Sequence, residues 1–420
     1  MTAAELKLSL AERDRRWQKI RLSMALRNLD CLLVFGTEGN TYRAGLANLT
    51  YVTNFQEGWC CIFPINEEPT AFIGNQNKYI PWNYYEEVNP WIKDVRPMES
   101  RMKGCGLGGI IEKLKELGLE KGNIGFVDHE KGGFSTPYKH YHAVVDAFPQ
   151  ADFSDQNGLL MEHRLIKSDE EIKMLEKAGQ LANLSIKALL EAKPGMKEAE
   201  IYSNMLKAQI DNGGDPHCFI LIESDAIAKT SHLLHGKKPP FGPKQRKLQK
   251  NDVIVTEFHA SYKGYLAAVE MTAMLGKPGP EYRRIFDVAV KSFMNGLEMM
   301  RPGVPFNEAI MAFRKPVQKA GMDYLELGLH GHGLSSGEFP TAVYPADRIK
   351  YLQITSSKDN KALAQVSSFP LQENMVFGMN IDIHDPKWMK NVGVMLGDTV
   401  VIKEAGPQLL CQTPIKLNII

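Results

Sequence analysis

Apolar residues recur at helical spacing from Glu12 to Leu29 and give way to a short uninterrupted block, Cys31-Leu-Leu-Val-Phe35. That switch predicts a helix followed by a strand buried on both faces. Trp59 to Pro64 and Thr70 to Ile73 read as a strand pair, with Glu67-Glu-Pro69 supplying the turn. Gly109 to Leu117 then has a helical pattern and Asn123 to Asp128 a strand pattern. The first 160 residues are therefore expected to form an α/β domain with its own core.

Beyond this point the pattern changes to long amphipathic helices. Ser168 to Lys193 opens on a capping box, Ser168 with Glu171 three residues on, and stops at Lys193-Pro-Gly195. A second helix is expected from about Lys197 to Asp211. The layout then repeats: Glu281 to Met300 is helical, Arg301-Pro-Gly303 stops it, and another helix runs from about Phe306 to Gly321. The two Pro-Gly stops lie 108 residues apart, and strand-like segments follow each helix pair. Residues 161–420 are thus expected to form a second domain, built from a duplicated helix-helix-strand unit about a pseudo-twofold axis.

Composition changes this picture little. The chain has 420 residues, 44% hydrophobic and 24% charged, enough for two soluble domains. A net charge of +1 leaves no electrostatic footprint for nucleic acid, and no apolar stretch is long enough to span a membrane. Six cysteines without CxxC spacing are expected to be free thiols, and with the polar N-terminus they point to the cytoplasm.

Candidate chemistry concentrates in Asp252-Val-Ile-Val-Thr-Glu-Phe-His-Ala260 and Gly264-Tyr-Leu-Ala-Ala-Val-Glu-Met-Thr272. A strand over Val253 to Val255 ends near Glu257, and a turn at Tyr262-Lys-Gly264 leads to a strand carrying Glu270. Such a hairpin brings two carboxylates into one cleft and raises the proton affinity of one of them, which suits proton transfer. The alternative is that both are surface residues or structural ion-pair partners. His259 lies two residues past Glu257, on the same face of an extended strand, and His330 and His332 show the same spacing. His384, within Asp382-Ile-His-Asp-Pro386, reads as a surface loop.

The segment Arg164-Leu-Ile-Lys-Ser-Asp-Glu-Glu-Ile172, the duplicated helix pairs, Gly331-His-Gly333 and the C-terminal strand pair resemble the creatinase, prolidase and aminopeptidase P family. The resemblance implies an N-terminal creatinase-like domain and a C-terminal pita-bread catalytic domain. The family's five metal ligands would fall at Glu257, Ala268, His332, Asn380 and Gly397. Only the histidine is unchanged, and Glu257 is a possible substitute. The resemblance therefore implies a cleft without the usual metal pair, and no metal or other cofactor is expected.

Creatinases use this scaffold without metal, and the likeness extends to their working residues. Ser224 with His232 eight residues on matches the creatinase catalytic histidine, and Ala268-Val-Glu-Met-Thr272 places Glu270 at the residue that binds the substrate's cation. Asn380 and Met271 depart from creatinase, so creatine itself is not expected. The resemblance thus implies His232, Glu270 and His332 as catalytic residues, with His235 the rival proton shuttle. Glu257, His235, His259 and Asn380 would bind substrate. Trp59 and Phe55 of the first domain would stack on it across a homodimer interface, or else pack in their own core.

The expected activity is metal-independent hydrolysis of a C–N bond in a small nitrogenous compound. Alternatives are a lyase on the same scaffold, a non-catalytic binding module, and a metallopeptidase with ligands drawn from His259, His330, His332 or Glu338.

Overall fold

The computed structural model describes residues 6–36, 45–56, 58–73, 90–97, 107–128, 136–216, 219–226, 243–343, 369–389 and 392–420. Its contacts separate two compact units, Met1–Leu165 and Ile166–Ile420.

In the first unit, helix α1 (Leu10–Leu26) is capped by the Ser9 hydroxyl, which accepts from the Glu12 N–H. Strand β1 (Cys31–Phe35) is buried throughout, as its unbroken apolar run requires. It pairs antiparallel with β2 (Cys60–Pro64) and parallel with β5 (Asn123–Val127). With β3 (Thr70–Ile73), β4 (Asp94–Pro97) and β6 (Asp152–Asp155) they form a six-stranded mixed sheet in the order β4-β3-β2-β1-β5-β6. Among the described residues the unit also has helices α2 (Ala47–Thr53), α3 (Gly108–Glu116), α4 (Tyr138–Ala147) and α5 (Asn157–Arg164). Phe35, Phe72, Ile110, Leu114, Phe126 and Phe148 centre its core.

The second unit opens on α6 (Asp169–Leu190), where the capping box forms in both directions. The Ser168 hydroxyl accepts from the Glu171 N–H at 3.2 Å, and the Glu171 carboxylate accepts from the Ser168 N–H at 2.9 Å. The other Glu171 oxygen accepts from the Tyr265 hydroxyl at 3.1 Å, so the cap also fixes the helix against the hairpin that carries the candidate site. Helices α7 (Glu198–Ile210), α8 (Pro280–Glu298) and α9 (Phe306–Ala320) follow. Both Pro-Gly stops put glycine in the left-handed region, Gly195 at φ 95° and Gly303 at φ 85°.

The strands are β7 (Ile220–Ala226), β8 (Asp252–Tyr262), β9 (Tyr265–Met274), β10 (Asp323–His332), β11 (Ser336–Ala342), β12 (Val376–His384) and β13 (Gly393–Val401). They form a sheet in the order β11-β10-β12-β13-β9-β8-β7, with short β14 (Gln408–Leu409) paired to β13 and β15 (Asn418–Ile419) paired to β9. Outward from the central β9–β13 pair, β8 and β7 on one side mirror β12 and β10 on the other. Each set follows one helix pair, so the duplicated unit is present. Strand β8 does not end at Glu257 as the sequence pattern implies; it continues to Tyr262 and leaves Glu257 at mid-strand. The alternation is hidden because every residue of β8 and β9 is buried.

The β8–β9 turn has Lys263 at φ 48° and Gly264 at φ 86°, a two-residue hairpin geometry. The Asp215 carboxylate fixes it by accepting from the Lys263 and Gly264 N–H groups at 3.0 and 2.8 Å. A buried carboxylate, Glu198, accepts from the Ser224 N–H and hydroxyl at 2.8 and 2.6 Å and from the Lys244 N–H at 2.8 Å. It thereby ties together the described residues on either side of 227–242. Glutamine at 198 keeps only one acceptor oxygen for these three donors. Glu198→Gln is expected to lower the unfolding free energy by about 2 kcal/mol, measured by urea denaturation.

Candidate active site

Four side-chain positions lie in one row across the centre of the second sheet. Glu257 on β8 is directly opposite Glu270 on β9. Glu270 is opposite Gly397 on β13, and Gly397 is opposite Asn380 on β12. Directly opposed residues project to the same face, so Glu257, Glu270 and Asn380 share one floor. Glycine at 397 leaves a gap in it. A Cβ there would lie 3.0 Å from the Glu270 Cβ and 3.2 Å from its Cγ. The Glu270 side chain instead crosses β13, and its Oε2 accepts from the Ile381 N–H at 3.2 Å on β12. Its Oε1 is buried and has no hydrogen-bond partner among the described residues.

Further carboxylates complete the floor. Asp382 lies two residues beyond Asn380, on the same face of β12, and opposite Glu326 on β10. The Asn380 amide donates from Nδ2 to Glu326 Oε2 at 2.7 Å, while its Oδ1 meets His330 Nε2 at 3.1 Å. Glu257, Glu270, Glu326 and Asp382 are all buried. Burial raises the proton affinity of Glu270 well above the carboxylate range, and the negative charges of Glu257, Glu326 and Asp382 raise it further. Burial, reinforced by Asp382, pushes Glu257 up to about 7.

Three imidazoles stand beside this floor. His259 Nε2 lies 3.6 Å from Glu257 Oε1. The His332 ring is 4.6 Å from His330 and 5.8 Å from His259, centroid to centroid, and its Nε2 is 3.4 Å from the Ser336 hydroxyl. Burial, together with the other two imidazoles, depresses the proton affinity of His332 well below the usual value, which keeps its ring neutral. Nearby, Lys167 pairs with Glu338 at 2.9 Å, both buried, and the Ser335 N–H donates to the same carboxylate at 3.2 Å.

The structure thus brings together Glu257, Glu270, His259, His332 and Asn380. His232 and His235 lie outside the described residues. Phe55 is buried in the first unit, and Trp59 packs on that unit's core with its ring 5.3 Å from His140. His384 is not in a surface loop: it is the last residue of β12 and is buried, because the strand runs through Asp382 before the Asp385-Pro386 turn. Glu326 and Asp382 escaped the sequence reading, although Asp382 follows Asn380 at strand spacing and therefore shares its face.

The Metallopeptidase family M24 profile matches residues 173–404, and the Creatinase/Prolidase N-terminal domain profile matches 16–166. The chain belongs to the Metallopeptidase family M24, a family of hydrolases, with a creatinase-type N-terminal domain and a C-terminal pita-bread domain. Ectoine hydrolase of Halomonas elongata is 23% identical, with 99% of each chain covered. The Xaa-Pro dipeptidase of Pyrococcus horikoshii is 24% identical over 80% of this chain and 83% of its own. Among solved structures, the Xaa-Pro dipeptidase from Bacillus anthracis superposes with a TM-score of 0.73 at 20% identity, covering 97% of this chain and 100% of its own.

The residues at the family's metal positions do not fit a metal pair. Ala268 and Gly397 offer no donor atom, and Asn380 turns its amide N–H toward Glu326. Glu338 is taken up by Lys167. Among the described residues, no group of three or more His, Cys, Asp or Glu side chains is arranged to hold a metal ion. No helix of the described residues is long and apolar enough to cross a membrane.

Proposed function

We propose that this chain is a metal-independent hydrolase that cleaves a C–N bond of amidine, guanidine or amide type in a small cationic compound. One observation carries this reading: Glu270 reaches across Gly397 and sets a buried carboxylate, one oxygen of which has no partner among the described residues, where the family places a metal-binding carboxylate. A carboxylate so placed binds an N–H-bearing cation better than water does. Water adds to the carbon between the nitrogens or beside the oxygen, and a base takes its proton. The C–N bond then breaks, and the nitrogen leaves carrying a proton from the same group.

His232 is the proposed proton shuttle, with His235 as its rival. Glu270 positions the substrate, while Glu257, His259, His332 and Asn380 bind or polarise it. Glu257, at about 7, is also matched to proton transfer near neutrality. Hydrolysis is preferred to elimination because the relatives' names are those of hydrolases, ectoine hydrolase among them. The proposed assembly is a homodimer with the N-terminal domain of one subunit near the cleft of the other, acting in the cytoplasm; Trp59 and Phe55 pack within their own domain.

The test is turnover of a panel of guanidines and cyclic amidines, with ectoine and Xaa-Pro dipeptides included. Activity is expected to survive exhaustive chelation, and His232→Ala is expected to lower kcat by about 10²-fold or more. Loss of activity with EDTA and its return with added metal would overturn the proposal. Preference for Xaa-Pro dipeptides would do the same.

A further inference from the structure

The cleft floor holds two buried carboxyl groups, Glu326 and Asp382, beyond those given a role above. Glu326 and Asp382 face each other on β10 and β12, one side-chain step beyond Asn380. They lie roughly 7 Å along the strand from the row that holds Glu257 and Glu270, by the rise per residue pair. Asn380 joins the two levels. Its Nδ2 donates to Glu326 at 2.7 Å, and its Oδ1 is held by His330. It therefore fixes the Glu326 carboxylate.

A second, independent feature is aimed at the same place. Glu270 is 2% exposed, and its Oε2 is held by the N–H of Ile381, the residue between Asn380 and Asp382. That bond draws the carboxyl group across β13 to the β12 side of the floor. Its Oε1 remains without a hydrogen-bond partner among the described residues. A buried acceptor of this kind is costly unless a donor meets it.

We propose that Glu326 and Asp382, with Glu270 between the two levels, form the binding site for the planar cationic head of an amidinium or guanidinium compound. A planar cation presents N–H groups along two edges. One edge meets Glu270 Oε1 and the other meets Asp382, while Glu326, held by Asn380, supplies the remaining charge. Carboxylates pair with such edges with directional, charge-assisted bonds. A metal ion needs convergent ligands around one point, and the described residues offer no such group. This inference rests on the proposed activity for its substrate class, and it adds two residues outside the family's ligand positions.

Binding, not turnover, tests it. Acetamidinium chloride and its neutral isostere acetamide are titrated into the full-length protein by calorimetry, alongside Glu326→Gln and Asp382→Asn. Acetamidinium is expected to bind the wild type and acetamide to give no measurable heat. Each variant is expected to weaken acetamidinium binding by about tenfold or more, the order of one lost charged hydrogen bond. Both substitutions keep side-chain size, and thermal melts select whichever folds as the wild type for the comparison.

Unchanged affinity in the folded variants overturns the site, as does equal binding of acetamide or no binding of acetamidinium. Stoichiometric divalent metal in the purified protein, lost in Asp382→Asn, overturns it in favour of a metal centre. Failure of every C–N substrate to turn over, with acetamidinium binding intact and variant-sensitive, would sink the catalytic reading alone.

Discussion

Glu270→Gln is expected to lower kcat/KM for a cationic substrate by about 10²- to 10³-fold without destabilising the fold, because truncating one partner of a buried charge pair costs about 2–5 kcal/mol. The two halves of this expectation come from the same geometry. In the free protein, burial and the surrounding carboxylates favour the protonated, neutral form of Glu270. Glutamine has the same shape and the same net charge as that form. Its carbonyl oxygen still accepts from the Ile381 N–H, so the melting temperature should stay within a few degrees of wild type. With a cation bound, the comparison changes. The wild-type carboxyl group gives up its proton and faces the cation as an anion, whereas glutamine presents an amide N–H toward a positive charge. Steady-state kinetics and a thermal melt on one preparation test both halves. Full activity would remove Glu270 from the substrate site, and a collapsed melting temperature would make it a structural residue instead.

Glu257→Gln should stabilise the protein at pH 8 by about 3 kcal/mol, since each tenfold change in proton affinity is worth about 1.4 kcal/mol. The folded protein raises Glu257 from 4.5 to about 7, so the folded state binds its proton more tightly than the unfolded chain does. This contribution to stability is present in full below pH 4.5. It is lost as the pH rises toward 7, and above that the folded state carries a buried charge. The unfolding free energy of the wild type should therefore fall between pH 4.5 and 7, and the glutamine variant should show a flatter profile. Urea denaturation at pH 5 and pH 8 measures both. Parallel profiles would mean that Glu257 is ionised in the folded protein, with His259, 3.6 Å away, supplying the compensating charge. A stabilising substitution inside an active site is the expected signature of stability given up for function.

The second unit is far more legible in the sequence than the first. Its helices announce themselves with an amphipathic stripe and with local stop chemistry: the Ser168–Glu171 box and the two Pro-Gly ends act within a few residues and need no distant partner. The strand Cys31–Phe35 is equally plain, as an unbroken apolar run. Helix α4 is not, since only Val144 of its ten residues is buried and its pattern is weak. Short α2, buried along its whole length, shows no polar face to set its period.

The site divides in the same way. Glu257, Glu270 and His332 stand out from their positions in the hairpin and in Gly331-His-Gly333. Their partners do not, because the links from Asn380 to Glu326 and from Glu270 to Ile381 join residues 54 and 111 positions apart. Strand register sets those contacts, and register between non-adjacent strands is invisible without the sheet order.

The glycine at 397 also constrains how this cleft could change over evolutionary time. A Glu introduced there first would run into the Glu270 side chain, and its Cβ would lie 2.4 Å from the Met379 carbonyl oxygen. Shortening Glu270 first would clear space but remove the carboxyl group that reaches the Ile381 N–H. Neither single step leaves the floor intact, so placing a carboxylate at 397 needs coordinated substitutions on β9 and β13. The site behaves as a ratchet: once the long side chain had settled over the glycine, each held the other in place.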